Sequence, residues 1–398
     1  MIPARLLDLT RLVSRLGRGP MTGIDRVECA YLTHLASRET PLFGLVRSGA
    51  GWLLLDQPGC ARFAQIVSGK VGLPPADLLS RLLHRRDPVR ARAETAARQL
   101  AIARAARPFL PRLLRRLPRG TSYLNVGHAN LGEKALASLS RAGLSVAVLI
   151  HDTIPLDHPQ FARPGTVEPF RARLAAVSVH ASRIIHLTEA TRRLTEAQLA
   201  LLGRVPPGLV APIGVDLAAP DSALLPHGLD LSTPYFVTLG TIEPRKNHAL
   251  LLDVWARLPT PAPRLYIVGS RGWADPALMA RLDALPADGP VRVLHGLPDG
   301  AVAALVAQAR ALLAPSLAEG FGLPPVEAAS LGTPVIATDL AVTRELLGNK
   351  PVYLPATDLY PWTETIVRQA ALPQIDGEKT VWQAPTWEAH FKTVLSLA

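Results

Sequence analysis

The stretch APSLAEGFGLPPVEAASLGTPVIATD, residues 314–339, determines how the rest of the chain is interpreted. A buried strand is predicted to end near Ala314, and a helix is predicted to begin at the Pro324-Pro325 pair, because proline suits the first helical turn. Between them, Gly320 and Gly322 allow the backbone to approach a ligand closely. The free amides and the positive end of the helix dipole then face this turn, which predicts a site for an anion such as a diphosphate.

Two carboxylates flank the glycine turn. Ser316 and Glu319 lie in the turn itself, and Glu327 lies in the first turn of the helix, eight residues after Glu319. This spacing allows the two carboxylates to contact opposite ends of one ligand, with one at a sugar and the other at a ribose diol. The alternative is a pair of solvated carboxylates that the helix dipole favours.

A second stretch, YFVTLGTIEPRKNHALLLDVW at residues 235–255, has a strand running into Gly240 and a helix starting at about Asn247. Arg245 and Lys246 lie in the polar loop between them, at the predicted carboxyl edge of the same sheet. There they could neutralise the charge of a departing nucleoside diphosphate. The alternative is a pair of exposed loop charges.

Short apolar runs alternate with helical patterns along almost the whole chain, which is typical of parallel sheets with crossover helices. The predicted strands lie at 6–13, 122–126, 144–150, 183–187, 208–212, 235–239, 264–268, 291–294, 311–315 and 334–338. A Gly-, Pro- and Asp-rich break at 213–233 divides them. We therefore predict an α/β protein with two doubly wound, Rossmann-like domains, residues 1–215 and 216–385, facing a central cleft, and a closing helix at 386–398.

Composition excludes several classes of protein. With 48% hydrophobic residues the chain is not disordered over most of its length, and two cysteines, Cys29 and Cys60, exclude a disulfide scaffold and a cysteine-based zinc site. Charged residues interrupt the N-terminal stretch, and the apolar runs are far shorter than the ~20 residues of a membrane span. We expect a cytoplasmic protein that does not cross a bilayer.

The two stretches of the second half resemble the family 4 retaining glycosyltransferases (glycosyl transferases group 1), which have the two-domain GT-B fold. The specific signal is E-G-F-G-L-P followed by the second glutamate, over about residues 235–345. The resemblance implies that Glu319 contacts donor-sugar hydroxyls, Glu327 the donor ribose and Lys246 the diphosphate. It also implies donor contacts from Gly240, Thr241, Gly296, Leu297, Ser316, Gly320, Phe321, Gly322 and Leu323. Many members have an arginine where this chain has Thr241, and Arg245 is the candidate replacement.

The first half carries weaker signals of the same resemblance. Gly23 lies in a loop expected near the diphosphate, with Arg26 as an acceptor-side candidate or an ordinary surface arginine. His128, at the end of YLNVGHANL, matches the histidine that contacts the donor sugar, although a hydrogen-bonded structural histidine is the alternative. His151 and Asp152 are further acceptor-side candidates, and Asp152 could instead cap the following turn.

The resemblance implies transfer of a hexose from a nucleoside-diphosphate sugar to a hydroxyl with retention of configuration, in surface polysaccharide or glycolipid synthesis. The first domain would bind the saccharide or lipid-linked acceptor, and a mannose- or rhamnose-type sugar is favoured. No Asp-x-Asp motif is evident, so we expect neither a metal nor a cofactor. Two alternatives are a sugar-nucleotide epimerase of GT-B fold, which needs no acceptor, and a non-catalytic nucleotide-sugar-binding subunit of an envelope-assembly complex.

Residues 80–119 hold twelve arginines and two acidic residues, which accounts for almost all of the net charge of +11. We predict a basic helical insertion here. Within residues 109–119, leucines share one helical face, which predicts either packing on the domain core or peripheral contact with the anionic inner face of the cytoplasmic membrane. Nucleic-acid binding is not expected, because no aromatic interleaving or nucleic-acid module accompanies the charge.

Overall fold

The computed structural model describes residues 3–19, 21–373 and 382–397. Its strands are β1 (Arg5–Asp8), β2 (Leu42–Ser48), β3 (Gly51–Leu55), β4 (Ala101–Ala105), β5 (Ser122–Asn125), β6 (Ser145–Ile150), β7 (Arg183–His186), β8 (Gly208–Val210), β9 (Tyr235–Leu239), β10 (Arg264–Val268), β11 (Val291–Leu294), β12 (Ala311–Ala314), β13 (Val335–Thr338) and β14 (Val352–Leu354).

The helices lie between these strands, as crossover connections require. They are α1 (Thr10–Arg15), α2 (Gly23–Ala36), α3 (Gln57–Val67), α4 (Leu78–Leu83), α5 (Pro88–Gln99), α6 (Leu110–Leu114), α7 (Glu133–Arg141), α8 (Ile154–Asp157), α9 (Val167–His180), α10 (Glu189–Leu202), α11 (His248–Trp255), α12 (Pro276–Asp283), α13 (Asp299–Ala307), α14 (Leu323–Ser330), α15 (Ala341–Leu347), α16 (Leu359–Ala371) and α17 (Trp387–Leu397).

The strands form two sheets, one on each side of the break at 213–233. The first has the order β4-β3-β2-β1-β5-β6-β7-β8, and the second has the order β11-β10-β9-β12-β13-β14. Every pairing in the second sheet is parallel. The predicted class of two Rossmann-like α/β domains is confirmed. In each sheet the order of the strands reverses beside the first strand of that sheet, β1 or β9. Open parallel sheets bind ligands at such switch points.

The first sheet departs from the prediction at one edge. β2 pairs with β3, and β3 with β4, in antiparallel fashion, so the first sheet is mixed. All ten predicted strands are present, although the 6–13 run ends as a strand at Asp8 and continues as α1. Strands β2, β3, β4 and β14 were not predicted. A tight turn at residues 49–50 joins β2 to β3, which is the antiparallel connection that needs no crossover helix.

The basic segment at 80–119 is not the purely helical insertion that the sequence predicts. It contains α4 and α5, then the edge strand β4, and then the short helix α6. The leucines of 109–119 belong to the first-domain core: Leu110, Leu113, Leu114 and Leu117 are all buried. The alternative that these leucines contact lipid is therefore wrong, because they are packed in the core of the first domain.

One hydrophobic cluster runs through both domains and the last helix, and each domain has a second cluster on its other side. Helix α17 lies against α2 of the first domain. There the Phe391 ring stacks on His34 at 3.7 Å, and the His390 Nε2 lies 2.7 Å from the Tyr31 hydroxyl. Among the helices that the structure describes, none is long and apolar enough to span a bilayer.

Candidate active site

The switch point of the second sheet lies between β9 and β12, and the loops that follow these two strands leave it side by side. The β9 loop carries Arg245 and Lys246, and the β12 loop carries Glu319. A backbone hydrogen bond of 2.7 Å from the Leu317 N–H to the Arg245 carbonyl joins the two loops. The strand order therefore brings together two motifs that lie more than 70 residues apart in the sequence.

Glu319 accepts charged hydrogen bonds on both carboxylate oxygens. Arg245 Nη1 donates to Oε2 at 2.7 Å, and Lys246 Nζ donates to Oε1 at 2.5 Å. The same Nη1 also donates to the Ala318 carbonyl at 3.1 Å, and the Ser316 hydroxyl bonds the Glu319 carboxylate. Such charge-assisted bonds hold the carboxylate in one orientation.

Burial alone would raise the pKa of Glu319, but the charges of Arg245 and Lys246 outweigh it and bring the pKa down to about 2. Two neighbouring carboxyls have the opposite balance. Burial raises the pKa of Glu243, 2.6 Å from Arg245 Nε, and burial also raises the pKa of Asp152. Glu319 is thus the member of this group that stays firmly ionised.

The glycine turn after Glu319 is shaped by two separate constraints. Gly322 has a φ of 81°, in the left-handed region that side chains disfavour. Gly320 lies so close to the first domain that an added Cβ would stand 2.5 Å from the His151 carbonyl oxygen. Only a residue without a side chain fits there, which makes Gly320 a point of close contact between the domains.

Glu327 lies beyond the first turn of α14, one turn later than the sequence predicts, and faces the first domain. Arg26 Nη1, on α2, approaches Glu327 Oε1 to 2.5 Å, and Arg26 Nη2 lies 3.7 Å from Asp299. Burial raises the pKa of Glu327, and Arg26 only partly offsets this. Arg26, an acceptor-side candidate from the sequence, is therefore placed on the second predicted carboxylate.

A cavity of about 500 Å³ between the domains collects most of the predicted residues. Those that line it are Gly23, Arg26, His151, Asp152, Gly240, Thr241, Arg245, Lys246, Gly296, Leu297, Glu319, Gly320, Phe321, Gly322, Leu323 and Glu327. Ser316 lies behind the lining and contacts it through Glu319. Arg245 faces the cavity that Thr241 also lines, so a cation is present despite the threonine.

His128 is the predicted residue that the structure places elsewhere. It does not line the interdomain cavity, and its Nε2 is 3.0 Å from the Leu149 carbonyl. His151 does line the cavity, and its ring centroid is 5.0 Å from that of His128. Burial lowers the pKa of His151 to about 4, so the ring is neutral at pH 7. Its Nε2 lies 2.7 Å from the Val126 carbonyl.

Sequence reasoning missed four charged residues of the cavity, Glu243, Asp299, Arg15 and Arg18. Glu243 lies two residues before Arg245 in the same polar loop, so its position was an available signal. Arg15 ends α1 and Arg18 follows it, in a part of the chain where the sequence predicts one strand over 6–13 and no helix. In the described part of the chain, no three His, Cys, Asp or Glu side chains cluster closely enough to hold a metal ion.

The depressed pKa of Glu319 predicts a pH-dependent effect of Glu319→Gln on stability. Since the folded pKa lies below the ordinary value of 4.5, ionisation stabilises the fold above about pH 4.5, and this contribution is lost as pH falls toward 2. The wild type should exceed the variant in unfolding free energy by on the order of 3 kcal/mol at pH 7. Urea unfolding between pH 7 and pH 3 measures the difference.

The matched control for this experiment is Glu364→Gln, at an exposed position of the same domain. It should change the free energy of unfolding by no more than about 0.5 kcal/mol at any pH. A Glu319→Gln effect that is the same at pH 7 and pH 3 would contradict the assigned ionisation.

Comparison with known proteins identifies the second domain. Residues 226–352 match the family model of the glycosyl transferases group 1. The chain is 32% identical over 225 residues to the serotype-specific mannosyltransferase WbdA of Escherichia coli, covering 52% of this chain and 28% of that protein. It is 33% identical over 142 residues to the O-antigen chain mannosyltransferase RfbU of Salmonella typhimurium, covering 35% and 39%. The chain thus spans well under half the length of these relatives.

Solved structures agree on the fold. The structure of HepE from Anabaena in complex with UDP aligns over 99% of this chain and 94% of its own, with a TM-score of 0.58 at 14% identity. Sucrose-phosphate synthase from Thermosynechococcus elongatus aligns over 70% and 72%, with a TM-score of 0.51 at 19% identity. The resemblance seen in the sequence is confirmed: residues 226–352 of the second domain match the glycosyl transferases group 1, and the two domains together have the GT-B fold.

Proposed function

We propose that this protein is a family 4 retaining glycosyltransferase that moves a hexose from a nucleoside-diphosphate sugar to a hydroxyl of a saccharide or lipid-linked saccharide. The observation that carries the proposal is the ionised Glu319 carboxylate, held between Arg245 and Lys246 beside the glycine turn. The names of WbdA and RfbU support mannose as the sugar and surface polysaccharide as the product. The UDP in the HepE structure supports a nucleotide donor.

Each charged group then has a task in the reaction. Glu319, as a carboxylate, accepts hydrogen bonds from the donor-sugar hydroxyls and positions the ring. Arg245 and Lys246, which pair with Glu319, also bind the diphosphate and stabilise its growing negative charge. Glu327 accepts hydrogen bonds from the ribose, so the donor replaces Arg26 as its partner.

In the transfer step the bond from the anomeric carbon to the phosphate oxygen breaks, and its electron pair goes to the diphosphate. The acceptor oxygen forms the new bond on the same face, and its proton passes to the departing phosphate oxygen. This front-face route needs no protein base. The neutral His151 ring, on the first-domain side of the cavity, lines the space where the acceptor hydroxyl must approach. We place the reaction in the cytoplasm, without a metal or cofactor.

The proposal is tested by incubating the protein with GDP-mannose, UDP-glucose and dTDP-rhamnose, each with and without saccharide acceptors, and analysing the products by mass spectrometry. Transfer to an acceptor supports the proposal. Epimerisation without an acceptor, or no turnover with any donor, contradicts it. The anomeric configuration of the product, read by NMR, tests retention separately.

We expect Glu319→Gln to lower the rate of transfer at least about a hundredfold, because it removes the charge that orients the sugar and the partner that orients both cations. The measurement is the initial rate at saturating donor, with Glu364→Gln as the control that keeps the wild-type rate. A Glu319→Gln rate within a few-fold of wild type would refute the assigned role.

We expect Glu327→Ala to weaken the binding of the preferred nucleoside diphosphate by about ten- to a hundredfold, the cost of losing charged hydrogen bonds to the ribose. Isothermal titration measures the affinity, and thermal unfolding checks that the variant is folded. The rate at saturating donor should fall much less than in Glu319→Gln. Unchanged nucleotide affinity would place the ribose elsewhere.

A further inference from the structure

A second large cavity, of about 770 Å³, lies at the switch point of the first sheet. The strands on either side of this point are β1 and β5, and the segments that follow them carry Thr10, Arg11, His128 and Asn130, all of which line the cavity. Residues of β2 and β3, with Arg107 just after β4, complete the wall. The position is therefore the first-domain equivalent of the place where the second domain carries Glu319 and Lys246.

The lining of this cavity is strongly basic. It includes five arginines, Arg11, Arg47, Arg90, Arg107 and Arg173, and among the described lining residues a single carboxylate, Glu94. Glu94 is fully buried and already bonded, since Arg90 Nε lies 2.9 Å from it and the Gly49 N–H donates to it at 3.0 Å. The carboxylate therefore holds the wall together and does not neutralise the cavity as a whole.

Three of the five arginines are free to bind a ligand. Arg11 is held by Asp25 at 3.0 Å, and Arg90 by Glu94. By contrast, Arg47, Arg107 and Arg173 are exposed and form no ion pair with any carboxylate in the described ranges. Three unpaired cations around one cavity raise each other's electrostatic energy, and an anion between them would remove that cost.

This cavity adjoins the donor cleft. His128 lines it, and the His151 N–H, in the donor cleft, lies 3.3 Å from the His128 Nε2. On the other side, Arg11 lines the basic cavity and contacts the Thr22 hydroxyl of the donor cleft at 3.3 Å. A ligand in the basic cavity is thus separated from the donor site by about one layer of side chains.

We propose that the basic cavity holds the anionic part of the acceptor, a phosphate or a carboxylate bound by Arg47, Arg107 and Arg173. The acceptor hydroxyl then lies beyond the layer of side chains, in the donor cleft beside His151. This inference rests on the proposed function and adds the chemical class of the acceptor. Arginine suits both anions because its planar fork bonds two oxygens at once.

The test compares the binding of mannose 6-phosphate, glucuronate and mannose by isothermal titration. The donor cleft is first saturated with the nucleoside diphosphate that most raises the melting temperature. We expect one anionic sugar to bind at least about tenfold more tightly than mannose, and its identity separates phosphate from carboxylate. The variant Arg47→Ala/Arg107→Ala/Arg173→Ala should lose this preference while its stabilisation by the nucleotide stays unchanged.

The matched control is Arg115→Ala/Arg116→Ala/Arg119→Ala, which removes three exposed charges of the same domain outside the cavity. It should keep the preference. No preference for either anionic sugar, a preference retained by the cavity variant, or an equal loss in the control would overturn the inference. If no nucleoside diphosphate stabilises the wild type, the proposed function is refuted. The sugar titrations are then carried out without nucleotide, and they still test the basic cavity.

A different surface carries a second inference. Helix α4 exposes four leucines, Leu78, Leu79, Leu82 and Leu83, whose exposed fractions are 78%, 44%, 60% and 43%. The helix is fixed to the domain on its other side, where Arg98 bonds Asp77 at 3.0 Å and Ser80 at 2.6 Å. The leucines therefore face solvent in an ordered segment, and leaving this much apolar surface in water is costly.

Exposed basic residues surround these leucines. Arg81, Arg85 and Arg86 form no ion pair within the residues that the structure describes, and no carboxylate lies between residues 78 and 86. Apolar side chains among unpaired cations are complementary to a membrane surface, in which an apolar interior lies below anionic headgroups. We infer that the α4 surface, residues 78–86, contacts an anionic lipid bilayer, in place of the buried leucines of 109–119.

Vesicle co-sedimentation tests this, with phosphatidylcholine vesicles that contain or lack phosphatidylglycerol. We expect binding only to the anionic vesicles, and at least about a fivefold loss of the bound fraction in Leu78→Ser/Leu79→Ser/Leu82→Ser/Leu83→Ser. The control Val179→Ser/Leu194→Ser/Leu201→Ser, at similarly exposed apolar positions of the same domain, should bind as wild type. Equal binding by the α4 variant, or a wild-type dimer on gel filtration that only this variant dissociates, would overturn the inference.

Discussion

The order of the strands around β9 is the constraint on which the site depends. With β10 on one side of β9 and β12 on the other, the two loops that leave β9 and β12 lie side by side at the carboxyl edge of the sheet. Arg245, Lys246 and Glu319 meet there, and each neutralises a charge that would otherwise be buried alone. Without the carboxylate the two cations would repel each other, and without the cations the buried carboxyl would take up a proton.

The fit between the domains follows from the same loops. Gly320 touches the His151 backbone, Gly23 lies against Leu323, and Arg26 crosses the cleft to Glu327. The last helix returns to α2 and adds its own contacts to the first domain. The contact surface is therefore built from residues that also line the donor cavity, so a ligand in that cavity meets both domains.

The second domain was predictable because its strands are buried on both faces and read as continuous apolar runs that end in glycine turns. The edge of the first sheet was not. β4, with the sequence AIARA, is rich in alanine and arginine, which favour helices, and it becomes a strand only because β3 offers it an unpaired edge. Likewise the five apolar residues of LLDLTRLV favour a single strand over 6–13, but the buried contacts of Asp8 and Thr10 end the strand at Asp8.

The leucine- and arginine-rich segments show why a local pattern does not determine what a surface binds. Residues 78–86 and 109–119 have nearly the same mixture of leucine and arginine, yet the leucines of one are exposed and those of the other are buried. What separates them is the edge formed by β3 and β4, because α6 packs against these two strands while α4 lies beyond them on α5. The basic cavity takes Arg47 from β2, on which this edge is built, and Arg107 from just after β4. An extension of the sheet that the sequence did not reveal thus determines both which leucines reach solvent and which arginines meet at the switch point.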